Sequence, residues 1–236
     1  TGSQFVLGGN GGTTIRIAEK PMTLIGNGFY PHSSGGDVII AVTNNVASQI
    51  NVNYKTLRFD VSNAFNTDIR WDINNSGGEV DLNGNDQEIG RLLTRSATPE
   101  QGTGKVYSDA AATLTINQSS DDDYRNAFEG ALSIVKKGAS ELRLYDIHST
   151  TGTITVAEGT LTLKSGSSFD AVPVVSVTGG VLALEDETTI NDEALLSIEN
   201  SGVVDISAGM EESVGWLIID GNEQSGGTYG ATGSGA

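Results

Sequence analysis

The densest group of potential ligands in this sequence is Asp121-Asp122-Asp123, with Asp109 upstream. Hard cations bind carboxylate and carbonyl oxygens, so three consecutive aspartates in a loop read as a candidate calcium site. The plainer reading is a solvated run of charge. Asp81-x-Asn83-x-Asn85 opens like an EF-hand loop, but its sixth position is Asp86 instead of Gly and its twelfth is Leu92 instead of Glu. It therefore reads as an Asn83-Gly84 turn between strands. The two histidines, His32 and His148, stand alone in the sequence and read as loop or surface residues. No H-E-x-x-H, G-x-S-x-G or D-[TS]-G motif is present, and Gly104-Lys105 lacks the flanking residues of a P-loop. No catalytic residue is assigned, and calcium at Asp121, Asp122 and Asp123 is the one cofactor considered.

The elements that must position these residues are strands. Thr56 to Val61, Ile69 to Ile73, Thr113 to Ile116, Thr153 to Val156 and Thr160 to Leu163 all alternate polar and apolar side chains, and each run ends at Gly, Asn, Ser or Asp. Trp71 falls on the apolar phase and reads as core. Helical spacing is weak. Its best candidate, Arg125 to Val135, is interrupted by Gly130 and supports no more than a short turn.

A repeat distinguishes among all-β architectures. Val156, Val177, Ile198 and Ile219 lie 21 residues apart, and Gly138, Gly159, Gly180 and Gly202 follow the same period within one residue. Sandwich strands do not normally repeat by position in this way; stacked rungs do. The reading is an all-β chain forming a β-solenoid with rungs of about 21 residues, in which equivalent strands pair in parallel. Val156, Leu163, Val177, Leu184, Ile198 and Ile206 are expected in buried columns. If every rung had this length, about eleven would fit, in a rod of roughly 50 Å. Residues 131–236 carry the regular repeats. Residues 1–130 show no clean 21-residue phase. They read as irregular rungs continuous with the rest, carrying insertions such as Thr94 to Thr103 and Asn117 to Asn126, or as a differently built N-terminal cap.

Composition narrows the function classes. The 236 residues hold 13 Lys+Arg against 30 Asp+Glu, a net charge of −17. That balance argues against a nucleic-acid binder, which needs a basic face, and against adsorption to an anionic membrane surface. No apolar run approaches the ~20 residues of a spanning helix. With no Cys, disulfides, zinc–thiolate sites and Cys nucleophiles are excluded. Twelve of the acidic residues follow Lys164, and no Lys or Arg does. Stacked like charges repel, so divalent cations are one expected source of relief; simple solubility by net charge is the other reading. The basic residues look scattered along the chain, with none of the clustering that a polysaccharide lyase groove would want.

Several segments carry a family resemblance. Lys136-Lys137-Gly138, Glu141-Leu142-Arg143-Leu144 and Gly152 to Leu163 (GTITVAEGTLTL) look like the "K-x-G…L-x-L…G-x-T-x-V-x-x-G-T-L" signature of the bacterial autotransporter-associated β-strand repeat. Val80 to Leu92, Ala112 to Asn117 and Trp216 to Gly230 are similar to its opening, middle and closing segments. The match spans about residues 78–236. Ser140-Glu141 departs from the family's more usual Gly-Thr.

The resemblance implies a right-handed parallel β-helix in a large exported bacterial protein, secreted or held at the cell surface. It implies a non-enzymatic stalk or adhesin whose partners are host surfaces or glycans, and the family has no shared catalytic residues to transfer. The competing reading is a carbohydrate-active β-helix that binds or cleaves an extracellular polysaccharide or mucin-type glycan. The start at Thr1 and the Gly-rich end through Ala236 read as those of a processed or excised part of a larger parent chain.

Overall fold

The computed structural model describes residues 5–7, 14–24, 29–31, 36–74, 77–95, 102–187 and 189–230. All regular structure among them is strand, from Phe5–Leu7 to Asn222–Glu223. No described helix is long and apolar enough to cross a membrane. The strands stack as the parallel coils of a β-solenoid of about nine turns, with rungs about 21 residues apart.

Three sheets form the walls. The first runs through Phe5–Leu7, Phe29–Pro31, Gln49–Val52, Arg70–Ile73 and Arg91–Leu93. The second runs the length of the molecule, from Ile15–Ile17 to Trp216–Ile219, and contains the long strands Lys105–Asn117 and Ala127–Lys137. The third holds Asp122–Tyr124, Glu141–Leu144, Thr160–Leu163, Val181–Leu184 and Val203–Ile206. It takes over where the first sheet ends: the Thr94 N–H donates to the Asp123 carbonyl at 2.8 Å.

Register explains the periodicity. Ile154 faces Val175, which faces Leu196, which faces Leu217. Leu161 faces Leu182, and Leu163 faces Leu184. Parallel pairing puts equivalent residues ~4.8 Å apart, so an apolar residue at one position creates an apolar site in the next coil. Val156, Leu163, Val177 and Leu184 are buried as expected. Ile198 is only half-buried, and Ile206 is 37% exposed instead of buried. Both lie toward the end of the stack, and among the described residues Ile206 is in the last strand of its sheet.

The first half has a 21-residue phase too, carried by residues other than the glycines and valines of the second half. Ile50 faces Trp71 and Trp71 faces Leu92. Trp71 is buried and stacks on Phe59, with ring centroids 5.4 Å apart. Asn45, Asn66 and Gln87, again 21 apart, each accept a backbone N–H from a neighbouring coil: from Met22, Ala47 and Ala64 respectively. The second sheet is less even: its partners Val38 and Leu57 are separated by 19 residues, but Val80 and Val106 by 26. These longer coils are one reason the stack has about nine turns instead of eleven.

Two local expectations are corrected. Arg125 to Val135 is mostly the strand Ala127–Lys137, in which Gly130 takes φ +75 and its carbonyl accepts the Thr151 N–H. Asn117 to Asn126 contains the strand Asp122–Tyr124. Most of Thr94 to Thr103 lies outside the described residues, as does His32.

The core makes a contrast measurable. Val177→Asp should cost about 4 kcal/mol or more, because a buried charge there has no partner. Ile206→Asp, at the uncovered end of a column, should cost about 1 kcal/mol or less. Urea unfolding of both variants checks the register; equal losses would contradict it.

Candidate functional site: an arginine–carboxylate seam

The junction between the first and third sheets gathers charges that are far apart in sequence. Arg70 and Arg91 are register partners on adjacent coils. Arg91 grips Asp122 with two bonds, Nε to Oδ2 at 2.7 Å and Nη2 to Oδ1 at 2.6 Å. Asp122 is the register partner of Leu142 and is 8% exposed, so a carboxylate sits where later coils put leucine. The Gln118 amide also donates to it, at 2.8 Å. The hydrogen bond that Arg91 donates to Asp122 raises the Arg91 pKa, against the burial that lowers it.

Consecutive strand residues point to opposite faces, so Asp123 faces outward. It accepts from Arg143 Nε and Arg125 Nη2, each at 2.6 Å. Arg143 also binds Glu141 at 2.7 Å, and Arg125 lies over the Tyr145 ring, 4.0 Å from its centroid. Asp121 accepts the Glu141 N–H at 2.9 Å. The three aspartates therefore diverge to separate partners. Asp109 sits apart from them on a bulge of the second sheet, where Ser108 faces Gly130 and Ala112 faces Leu132. Its charge acts on Asp81 and Tyr107. No described group of three or more His, Asp or Glu side chains converges as a metal site would need.

Asp72 completes the seam. It is 4% exposed and accepts the Arg95 N–H at 3.1 Å, with the Arg95 guanidinium 3.3 Å away. Burial pushes its carboxyl above the usual range, while Arg95, Arg70 and Arg91 pull it down. The basic residues that look scattered in sequence thus converge in part: Arg70, Arg91, Arg95, Arg125 and Arg143 all lie along this seam. The Arg70–Arg91 offset of 21 was the sequence signal for it. Chemically, the seam is an ion-pair network in which Arg125 Nη1 is buried without a partner among the described residues and one carboxyl, Asp72, is held toward its neutral form.

The other expected sites resolve simply. Asp81 Oδ1 accepts the Asn83 N–H at 2.8 Å, with Asn83 at φ 47 and Gly84 at φ 75, which is a turn between strands. His148 is not at the surface. It is fully buried between Phe128 and Phe169, with ring centroids 5.1 and 5.6 Å away. Its Nδ1 accepts the Phe128 N–H at 3.1 Å, and burial pushes its pKa down to about 3. Lys136 occupies the apolar column between Ile116 and Val156. Its ammonium donates to the carbonyls of Lys137, Gly138 and Glu158 at 2.9, 2.9 and 3.0 Å, and burial lowers its pKa to about 8.

The chain matches no family model, no curated protein and no solved structure.

Two measurements follow from this geometry. Asp122→Ala strands Arg91 beside the core and should cost about 3 kcal/mol, whereas Asp121→Ala loses one exposed hydrogen bond and should cost about 1 kcal/mol or less. A folded pKa below the ordinary imidazole value of 6.5 means that the stability His148 contributes is complete above pH 6.5 and is lost as pH falls toward 3. The stability advantage of the wild type over His148→Phe should therefore shrink by on the order of 4 kcal/mol across that window. A pH-independent difference would show that His148 does not titrate there.

Proposed function

We propose that this chain is a non-enzymatic β-solenoid module of a large exported bacterial surface protein, a stalk or adhesin that provides reach and displays its walls to host surfaces or glycans. The observation that carries this reading is the unbroken second sheet, from Ile15–Ile17 to Trp216–Ile219. Each coil touches only its neighbours, so such a rod gains length by adding coils without changing its fold. At the strand spacing, nine coils give about 40 Å. The resemblance to the autotransporter-associated repeat supports export. Within its signature, Lys136 binds three carbonyls at a corner, a purely mechanical role. The seam carboxylates are occupied by arginines and backbone donors, which suits a structural wall.

One observation favours the carbohydrate-active alternative: Asp72, with its raised pKa among Arg70, Arg91 and Arg95, has the kind of carboxyl that general acid catalysis uses. The test is retention of the labelled protein on mucin-coated, epithelial-cell and polysaccharide surfaces, with released sugars assayed in parallel. Saturable retention without sugar release is expected. Turnover abolished by Asp72→Asn would make the chain an enzyme, and retention on none of the surfaces would remove the adhesin role.

A further inference from the structure

The outer faces of the walls differ in charge. On the third sheet, one outward column reads Asp123, Arg143, Thr162, Ala183, Asp205. On the first half of the second sheet, another reads Arg58, Asp81, Tyr107, Glu129. On the second half of the second sheet, two adjacent outward columns carry no charge over successive coils, and Lys137 stands at their margin, two residues beyond Val135. The first column is Thr113, Ser133, Thr153, Val174, Leu195 and Trp216. The column two residues on includes Val135, Thr155, Ser176, Ser197 and Ile218. In a chain of charge −17, this is a neutral strip of hydroxyls and apolar groups, in which Ser197 alone is nearly covered, at 6% exposed. It ends at Trp216, which is 56% exposed, whereas the other tryptophan, Trp71, is 1% exposed.

We infer that this strip is a binding platform for a neutral polysaccharide. The inference rests on the adhesive reading above and identifies the surface and ligand class. A pyranose ring offers hydroxyls at its edge and C–H groups on its faces. Ser and Thr hydroxyls both donate and accept, and an exposed indole presents an apolar plate for a sugar face. The strip repeats at the strand spacing of ~4.8 Å, so a linear polymer meets the same chemistry coil after coil, and weak contacts add along its length. The strip also selects by charge. Neither column holds a cation to pair with a uronate or sulfate, and the net charge of the chain repels anionic polymers.

The test uses the full chain in native gels containing hydroxyethyl cellulose, a galactomannan or, as the anionic control, polygalacturonate. Retardation is expected in at least one neutral gel and not in polygalacturonate. Trp216→Ala and Thr155→Glu should each weaken it about tenfold or more, while Val203→Glu, on another wall, should not. The retarding polymer should also shield tryptophan fluorescence from acrylamide, a readout that depends on Trp216 because Trp71 is already buried. Thermal melts establish that the variants fold, and Trp216→Ala, at an exposed position, serves if Thr155→Glu does not.

Equal retardation of all variants, retardation by polygalacturonate alone, or none by any neutral polymer would overturn the inference. So would self-association that Trp216→Ala abolishes, which would make the strip a contact between copies. Retention on mucin or cells that is unaffected by Trp216→Ala would sink the strip and leave the adhesive reading intact. Absence of retention on every surface, with neutral-gel binding still lost in Trp216→Ala, would sink the host-adhesion reading and leave the strip.

Discussion

The constraint on which everything else depends is the parallel, in-register ladder between coils. It satisfies the backbone donors and acceptors of each strand and forces equivalent side chains within ~4.8 Å of one another. The corners are where the ladder fails, because a turning backbone cannot pair along its whole length. There the chain supplies substitutes from side chains. Asn45, Gln87, Gln118 and Asn126 are buried amides that bond backbone groups of neighbouring coils. Lys136 does the same with an ammonium, His148 with an imidazole nitrogen. An unpaired backbone group in such a place costs roughly 1–3 kcal/mol, which explains why polar residues occupy an otherwise apolar interior.

The same stacking governs the charges. Like charges in register repel; Arg70 and Arg91 are such a pair, with Asp122 held by Arg91, and elsewhere the chain limits the repulsion in two ways. In the first two-thirds, opposite signs alternate across coils: Lys105 with Glu129, Asp123 with Arg143, Lys164 with Glu185. Beyond Lys164 no cation remains in the sequence, and several carboxylates bind backbone and hydroxyl donors at the corners. Glu212 accepts from the N–H groups of Thr189 and Ile190 and from the Thr189 hydroxyl, each at 2.9 Å. Asp186 accepts from Ser165 and Gly166, and Asp220 from the Asn200 N–H. These three carboxylates hold corners together, which gives part of the acidic run a structural use.

What was legible in the sequence follows from this division. The fold class was legible because Val156, Val177 and Ile198 repeat at a fixed interval and apolar columns impose that interval. In the first half the interval is kept by residues of mixed character: Ile50, Trp71 and Leu92 in the wall, Asn45, Asn66 and Gln87 at the corner. A search for repeating glycines and valines passes over them. The seam was hidden for a different reason. Arg91 meets Asp122 across 31 residues, an interval set by where one sheet stops and another starts. Asp122–Tyr124 is a strand, so neighbours that look like one acidic loop are sent to opposite faces. His148 looked isolated because its partners, Phe128 and Phe169, are 20 and 21 residues away, adjacent only once the coils stack.

A solenoid whose interior and seam are fixed by close packing leaves its outer walls as the place where chains of this architecture can differ. Outward residues are free of the packing that fixes the core columns, yet the ladder still aligns them. Composition on one wall therefore becomes a linear pattern with no further design. The third sheet displays one opposite-charge pair, Asp123 and Arg143, and a further carboxylate at Asp205. The neutral strip from Thr113 to Trp216 displays hydroxyls and apolar groups that do not satisfy one another along its length, apart from Thr153 to Ser133 and a Ser197–Glu199 bond at its margin. A face with unspent hydroxyls and an exposed indole is better matched to a repeating neutral polymer than to water alone, because only such a partner repeats along the same axis as the coils.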